Sequence, residues 1–278
     1  MFKIVRKERL NSAVVLLEID APYIAKKAEA GQFVIVRASE QGERLPFTIA
    51  DYDREKGSIT IIIQVVGGST MEIDRVTDEG YLLDVVGPLG IATEYGDAKR
   101  VAVVGGGVGC AIAYPQAKKL FGMGAEVDVI AGFRSKDIVI LENEMKAAST
   151  ELHICTDDGS YGTKGFVTNK LEELINAGKN FDLVIAIGPV IMMKFVCDIT
   201  KKYGIKTIVS LNPLMIDGTG MCGCCRVTVD GKVRYACVEG PDFDGHLVDF
   251  DELMRRNSTY KEHEKAHVCR LTGGVRNG

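Results

Sequence analysis

The sequence predicts a β + α/β protein: an antiparallel β-barrel over 1–97, a doubly wound parallel-sheet domain over 98–210, and a small cysteine-bearing segment with a tail over 211–278. Three observations predict it. Val- and Ile-rich runs of strand length, separated by glycine and charged turns, fill the first region. Regular strand–helix alternation fills the second. Four of the chain's eight cysteines then crowd into residues 217–237. A chain of 278 residues has room for two or three cores. The net charge of -4 gives no reason to expect nucleic acid or an anionic membrane as partner.

In the first region "AVVLLEI", "GQFVIVRA", "SITIIIQVV" and "YLLDVVGP" read as strands. The opening "MFKIVRKERLNSAVVLLEID" reads as a strand pair rather than a secretory leader, because charges break its apolar run. A short helix fits "GSTMEIDRV", with Ser69 or Thr70 as its cap. In the second region "RVAVVGG", "AEVDVIAGF", "ELHICTDD", "FDLVIAIG" and "KTIVSL" read as strands. Between them "GCAIAYPQAKKLFGMG", "SKDIVILENEMKAAS", "GFVTNKLEELINAG" and "PVIMMKFVCDITKKYG" read as helices. In the third, "GHLVDFDELMRRNSTYKEHEKAHVC" reads as a polar helix or arm and "LTGGVRNG" as a disordered end. The most apolar run, "FDLVIAIGPVIMMKFVCD", is interrupted by Asp182, Gly188, Pro189 and Lys194, so no membrane span is expected. A cytoplasmic location follows, where disulfides are rare.

Ligands of open α/β sheets sit at the carboxyl ends of the strands. The first such end carries Gly105, Gly106, Gly107 and Gly109, a glycine loop running into a helix N-terminus and suited to phosphates. Cys110 stands where a third motif glycine would fall, so the spacing is not a clean G-x-G-x-x-G. The second end offers Arg134 rather than an acid, which suits a 2'-phosphate or an adenine face and leaves NAD versus NADP open. The third carries Asp157 and Asp158, at least one of them explicable as a helix N-cap. The fourth carries Gly188 and Pro189. In the first region "ERLPFTIADYD" groups Arg44, Pro46, Phe47 and Thr48, a phosphate fork beside an aromatic and a hydroxyl. Some twenty residues on, Gly67, Gly68, Ser69 and Thr70 precede a helix as a second phosphate cradle.

These stretches resemble the ferredoxin–NADP reductase superfamily. "RLPFTIA" resembles its R-x-[YFP]-[ST] flavin signature, "GGST" its pyrophosphate turn, and "VVGGGVG" with "IGP" its nicotinamide loops. The order barrel, α/β domain, cysteine segment is similar to the electron-transfer subunit of bacterial dihydroorotate dehydrogenase. It is more similar still to the small subunit of NADH-dependent reduced ferredoxin:NADP oxidoreductase. The resemblance implies FAD in the barrel, NAD(H) on the α/β domain and a [2Fe–2S] cluster in the C-terminal segment. It also implies an electron-transfer role beside a larger subunit with its own FAD and [4Fe–4S] clusters, through which ferredoxin is reached.

The cysteines fit that expectation. Zinc sites usually present two C-x2-C pairs, and here Cys222 and Cys225 form a single one. Cys237 lies across an apparent hairpin turning at Asp230–Gly231. The plant-type cluster pattern is C-x4-C-x2-C with a distant fourth cysteine. Counted back from Cys222, its first position is Asp217, giving a set of Asp217, Cys222, Cys225 and Cys237. Asp217 is alternatively a turn acid, with Cys224 or water completing the site, and Cys224 is a conceivable substitute for Cys225. The dihydroorotate-type subunits carry cysteine at the Asp217 position and the transhydrogenase-type subunits aspartate, so this residue separates the two resemblances. Gly218, Gly220 and Gly223 suit a loop folded tightly around a cluster. Cys110, Cys155 and Cys197 read as small buried hydrophobes. Cys269, with His263 and His267, reads as a partner-contacting or solvated tail before a metal site. No catalytic acid–base pair is expected. A non-redox metal-binding module remains the rival class.

Overall fold

The computed structural model describes residues 1–271; the end expected to be disordered, 271–278, lies outside the described residues except for Leu271, which closes the last helix. The first seven strands are β1 (Phe2–Asn11), β2 (Val14–Asp20), β3 (Phe33–Arg37), β4 (Leu45–Asp53), β5 (Ser58–Gln64), β6 (Tyr81–Leu82) and β7 (Asp84–Leu89). Helix α1 (Pro22–Ala25) follows β2, and α2 (Gly68–Arg75) follows β5. The strands form one antiparallel sheet in the order β6-β1-β2-β5-β4-β3-β7. The two edge strands β6 and β7 are consecutive in the chain, parted by Leu83 alone, so the sheet curls into a nearly closed barrel. Val15, Leu17, Ile19, Ile59, Ile61 and Ile63 fill its interior. The alternate residues Val14, Leu16 and Ile62 point outward, yet they too are covered, by the α/β region. This is why the strands read as apolar on both faces.

The α/β region runs β8 (Arg100–Gly106), α3 (Gly109–Gly122), β9 (Glu126–Phe133), α4 (Glu142–Ala147), β10 (Glu151–Thr156), β11 (Thr163–Lys164), α5 (Val167–Asn176), β12 (Leu183–Ile187), α6 (Val190–Lys202) and β13 (Lys206–Ser210). Within β8, Val101 and Val103 face α3, while Ala102 and Val104 face α5 and α6. Burial on both faces is what makes such strands continuous apolar runs. After it come β14 (Arg226–Val229), β15 (Lys232–Tyr235), α7 (Ala236–Glu239), β16 (Asp242–Asp244), α8 (Phe250–Asn257) and α9 (Lys261–Leu271). Strand β16 returns to the parallel sheet as an antiparallel edge on β13, completing the order β11-β10-β9-β8-β12-β13-β16. No helix among the described residues is long and apolar enough to cross a membrane.

Three local expectations are corrected. The helix expected over 135–149 is broken: a 3-10 turn at Lys136–Ile138 gives way to extended chain, and Leu141 is left-handed at φ 55 before α4 starts. The β-branched Ile138-Val139-Ile140 run disfavours helix, and Ile140 and Leu141 are taken into the core instead. Helix α2 is capped at Gly67, not at Ser69 or Thr70. Asp157 and Asp158 do not cap a helix, because α5 begins only at Val167.

One buried carboxyl joins the regions. Asp242 on β16 accepts through Oδ2 from Thr93, in the stretch between barrel and sheet, and from Gln116 Nε2 of α3 at 3.2 Å. Gln116 also donates to Thr93 Oγ1 at 2.7 Å, and Tyr95 donates to Gln116. Among the described residues no hydrogen bond reaches Asp242 Oδ1. Burial pushes this carboxyl above the usual carboxylate range.

Candidate functional site

The barrel's lip is shaped by β4 and the start of α2. Pro46, Phe47 and Thr48 lie on β4, paired with Ile35, Val34 and Phe33 of β3. Arg44 stands just before this strand, with Nη1 3.7 Å from Asp84 and Nη2 donating to the carbonyl of Asp217 at 3.5 Å. At α2, Thr70 Oγ1 accepts from the N–H groups of Val66 and Gly67, both at 3.0 Å, and donates to Gly67 O at 2.9 Å. Thr70 is therefore spent on shaping the turn. A Cβ at Gly67 would meet nothing within 4 Å, so the backbone there is open to an incoming group. The open first turn of α2 fits a flavin diphosphate.

On the α/β region the four glycines after β8 separate into two kinds. A Cβ at Gly109 would lie 2.5 Å from the Ile187 carbonyl, one at Gly106 2.6 Å from Met192 Sδ, and one at Gly105 2.9 Å from Cys110 Sγ. Packing alone explains those three. Gly107 is left-handed at φ 58 and a Cβ there would meet nothing within 4 Å. The left-handed turn favours glycine in its own right, and the space above it is open. A Cβ on Gly188 would lie 3.1 Å from the Gly106 backbone and one on Gly106 3.1 Å from Pro189 Cδ, so the loops after β8 and β12 meet at the switch point of the strand order. Arg134, Asp157 and Asp158 lie exposed at the neighbouring strand ends. Asp158 Oδ1 accepts from Ser160 N at 2.9 Å and Oγ at 2.7 Å, which holds its carboxyl below the usual range. It closes a turn, and Arg134 has its backbone carbonyl bonded to Asp158 N at 3.3 Å.

The cysteine loop hangs between β13 and the β14–β15 hairpin, which turns at Asp230–Gly231 as the sequence indicates. Gly218, Gly220 and Gly223 are all left-handed, at φ 83, 87 and 68, the tight turns that let the loop fold back on itself. Cys225 and Cys237 are both buried, with their sulfurs 3.2 Å apart, in a small core with Phe33, Ile35 and Ala236. Burial and the neighbouring Cys225 thiol push Cys237 up to about 12. Cys222 is exposed, and N–H groups of Cys224 and Asp217 directed at its sulfur hold its thiol below the usual range. Asp217 Oδ2 accepts from Thr219 N at 2.9 Å, Thr219 Oγ1 at 2.5 Å and Met221 N at 3.3 Å. These donors, helped by Arg44, hold its carboxyl below the usual range.

This donor set fits a [2Fe–2S] cluster. Burial holds the Cys237 thiol in its protonated form, and iron, when bound, would take the place of that proton. Cys225 and Cys237 form one ready pair, and Asp217 and Cys222 lie more exposed on the same loop. Cys224 is half-buried, its carbonyl held by Arg256 at 3.2 Å. That contact, like Thr219 and Arg44 on the Asp217 loop, carries no motif and was not legible in the sequence.

A different group of metal-type side chains lies at the amino end of the sheet. Asp128, Glu151 and His153 cluster there, but Lys179 donates to Asp128 at 2.6 Å and to Glu151 at 3.0 Å. The ammonium already supplies the positive charge. Cys110, Cys155 and Cys197 are buried thiols pushed up to about 12, 11 and 12 by burial, as expected of inert hydrophobes. In α9, His263 and Cys269 are exposed.

Known proteins carry the same plan. Residues 212–249 match the iron-sulfur cluster binding domain of dihydroorotate dehydrogenase B. The chain is 45% identical to a dihydroorotate dehydrogenase B (NAD(+)) electron transfer subunit homolog of Thermotoga maritima, covering 95% of this chain and 93% of that one. The chain belongs to this family. A chain in a solved structure of NADH-dependent reduced ferredoxin–NADP oxidoreductase, a study of flavin-based electron bifurcation, superposes with a TM-score of 0.93 at 41% identity over 98% of both chains. Within the family the dihydroorotate dehydrogenase B (NAD(+)) electron transfer subunit of Shouchella clausii is more distant, at 33% identity over 82% of this chain and 89% of its own. Phthalate dioxygenase reductase, at 19% identity and a TM-score of 0.64, shares the fold.

Proposed function

We propose that this chain is the electron-transfer subunit of a flavin-based electron-bifurcating oxidoreductase. It moves electrons between NAD(H), FAD and a [2Fe–2S] cluster, and on to a larger subunit with its own FAD and [4Fe–4S] clusters that handles NADP(H) and ferredoxin. The observation that carries the reading is the contact between the barrel and the cysteine loop. Arg44 of the flavin signature reaches the backbone of Asp217, and Ile35 and Phe33 of β3 pack on Cys225 and Cys237. The high coverage by a chain of a bifurcating complex supports the same reading.

A flavin supplies the exchange between two-electron hydride chemistry and the one-electron chemistry of iron. The residues of this chain supply placement. The open turn at Gly67 and Gly68, with Ser69, receives the diphosphate, and Arg44 faces it as a fork. Pro46, Phe47 and Thr48 line the strand that would receive the flavin ring system. Gly107 opens the α/β crevice to the pyridine nucleotide, with Gly188 and Pro189 on its far lip and Arg134, Asp157 and Asp158 around the adenosine half. Asp217, Cys222, Cys225 and Cys237 would hold the cluster. The test is to purify this chain with its larger subunit and assay NADP+ reduction by NADH with and without reduced ferredoxin. Activity is expected to require reduced ferredoxin; full activity in its absence overturns the coupling.

A second reading has a specific observation behind it: the match of 212–249 to the dihydroorotate dehydrogenase B cluster domain. On that reading electrons pass from a dihydroorotate-oxidising flavoprotein to NAD. Asp217 counts against it, and recovery of such a flavoprotein on affinity-tagged chain would favour it.

A further inference from the structure

We propose that Thr219 is the positioning residue that fixes Asp217 as a one-oxygen ligand of the cluster, holding Oδ2 so that Oδ1 is the atom presented to iron. This rests on the reading of Asp217 as a ligand given above. A carboxylate differs from the thiolate it replaces in having two equivalent oxygens. It can bind one iron through one oxygen, chelate through both, or swing away. Something must choose among these, and the loop contains the means. Three donors converge on Oδ2: Thr219 N at 2.9 Å, Thr219 Oγ1 at 2.5 Å and Met221 N at 3.3 Å. Among the described residues no hydrogen bond ends on Oδ1. The two N–H donors are backbone and survive most substitutions, so the hydroxyl of Thr219 is the part that side-chain identity controls.

The left-handed glycines on either side, Gly218 and Gly220, bring residue 219 back over the carboxylate. Arg44 donates to the Asp217 carbonyl at 3.5 Å, so the backbone of Asp217 is held as well as its side chain. The electronic consequence has a sign. Hydrogen bonds to the non-ligating oxygen draw charge away from the ligating one, making Oδ1 a weaker donor to iron. A weaker anionic donor favours the reduced, more negative cluster, so the Thr219 hydroxyl raises the reduction potential. Thr219 is thus tuned against Asp217 in a way no all-cysteine cluster of this type requires.

The experiment uses the full-length, cluster-loaded chain and reads the cluster itself, by redox titration followed with EPR. Thr219→Val keeps the shape and removes the hydroxyl; Thr219→Ser keeps the hydroxyl. The expected result is a negative shift of the midpoint and altered g-values in Thr219→Val, with Thr219→Ser close to the wild-type chain. Loss of cluster from Thr219→Val with full retention in Thr219→Ser gives the same answer. A Thr219→Val chain with unchanged midpoint and g-values overturns the proposal, as does a Thr219→Ser chain that behaves like Thr219→Val. Asp217→Cys is run alongside. If it leaves the spectrum unaltered, Asp217 is no ligand and the underlying reading fails; if it changes the spectrum while the Thr219 variants do not, the positioning role alone fails.

Discussion

The parallel sheet and the cysteine loop treat the same side chain in opposite ways. In the sheet region Cys110, Cys155 and Cys197 are surrounded by apolar neighbours, and burial makes their thiols harder to ionise. In the loop Cys222 sits at the surface with N–H groups aimed at its sulfur, and Cys225 meets Cys237 sulfur to sulfur. The sheet is held by its own packing. The loop, with left-handed glycines at 218, 220 and 223 and little regular structure, is arranged around something it must hold. A thiol's role here is set by what surrounds it and not by its presence.

The sharpest way to break that contrast is to substitute one cysteine from each side. Cys225→Ser or Cys237→Ser is expected to lower bound iron to near zero and abolish the visible absorbance of the cluster, measured by iron assay and spectrum. Cys110→Ala is expected to keep its iron and lose about 1–2 kcal/mol of stability in denaturant titration, the effect of a small cavity. Equal iron contents across the three variants would dissolve the distinction.

A second test asks which glycines of the sheet serve packing and which serve a ligand. Gly107→Asn, whose side chain tolerates the left-handed turn, is expected to weaken NADH binding at least ~10-fold, about 1.4 kcal/mol, with flavin retained. Gly109→Ala is expected to destabilise the fold itself, since its Cβ would sit 2.5 Å from the Ile187 carbonyl. Calorimetric binding and thermal unfolding separate the two.

A third concerns Asp242, the buried carboxyl between the regions. Its pKa in the folded chain is raised above the unfolded value of 3.8, so the native state holds its proton more tightly. Its contribution to stability is full below the unfolded pKa and is lost as pH rises through the folded one. Asp242→Asn keeps acceptors for Thr93 and Gln116 but has no proton to lose. The stability difference between wild type and Asp242→Asn is expected to turn against the wild type as pH rises, measured by urea midpoints across pH; a difference independent of pH would refute the buried-acid account. The smallest effect is expected on the surface. Lys118 reaches Asp51 of the barrel at 2.7 Å with both side chains partly exposed, and Lys118→Ala should cost less than about 1 kcal/mol.

What could be read from sequence follows the same divide. Strands β8, β9, β10, β12 and β13 announce themselves because sheets buried on both faces are written in unbroken apolar runs. The spacing of Asp217, Cys222, Cys225 and Cys237 is legible because ligand geometry imposes a count between residues. The break at Leu141 was not legible, since Glu142 onward reads as good helix and tertiary burial of Ile140 decided the chain path. Nor was β16, a three-residue edge strand whose pairing to β13 spans some thirty residues of loop and hairpin. The contacts of Arg44 and Thr219 with Asp217 depend on chain reversals at glycines, and no local pattern encodes what such a reversal brings together.

Gly218 has a Cβ position that would fall 2.7 Å from Ile35 and 3.1 Å from Leu89, both on the barrel. Any side chain there would wedge the loop away from that wall. Quantum tunnelling between redox centres decays exponentially with the gap, so even a fraction of an ångström of lift is felt as speed. A missing methyl at position 218 therefore serves as a spacer of zero thickness, keeping two cofactor beds pressed together.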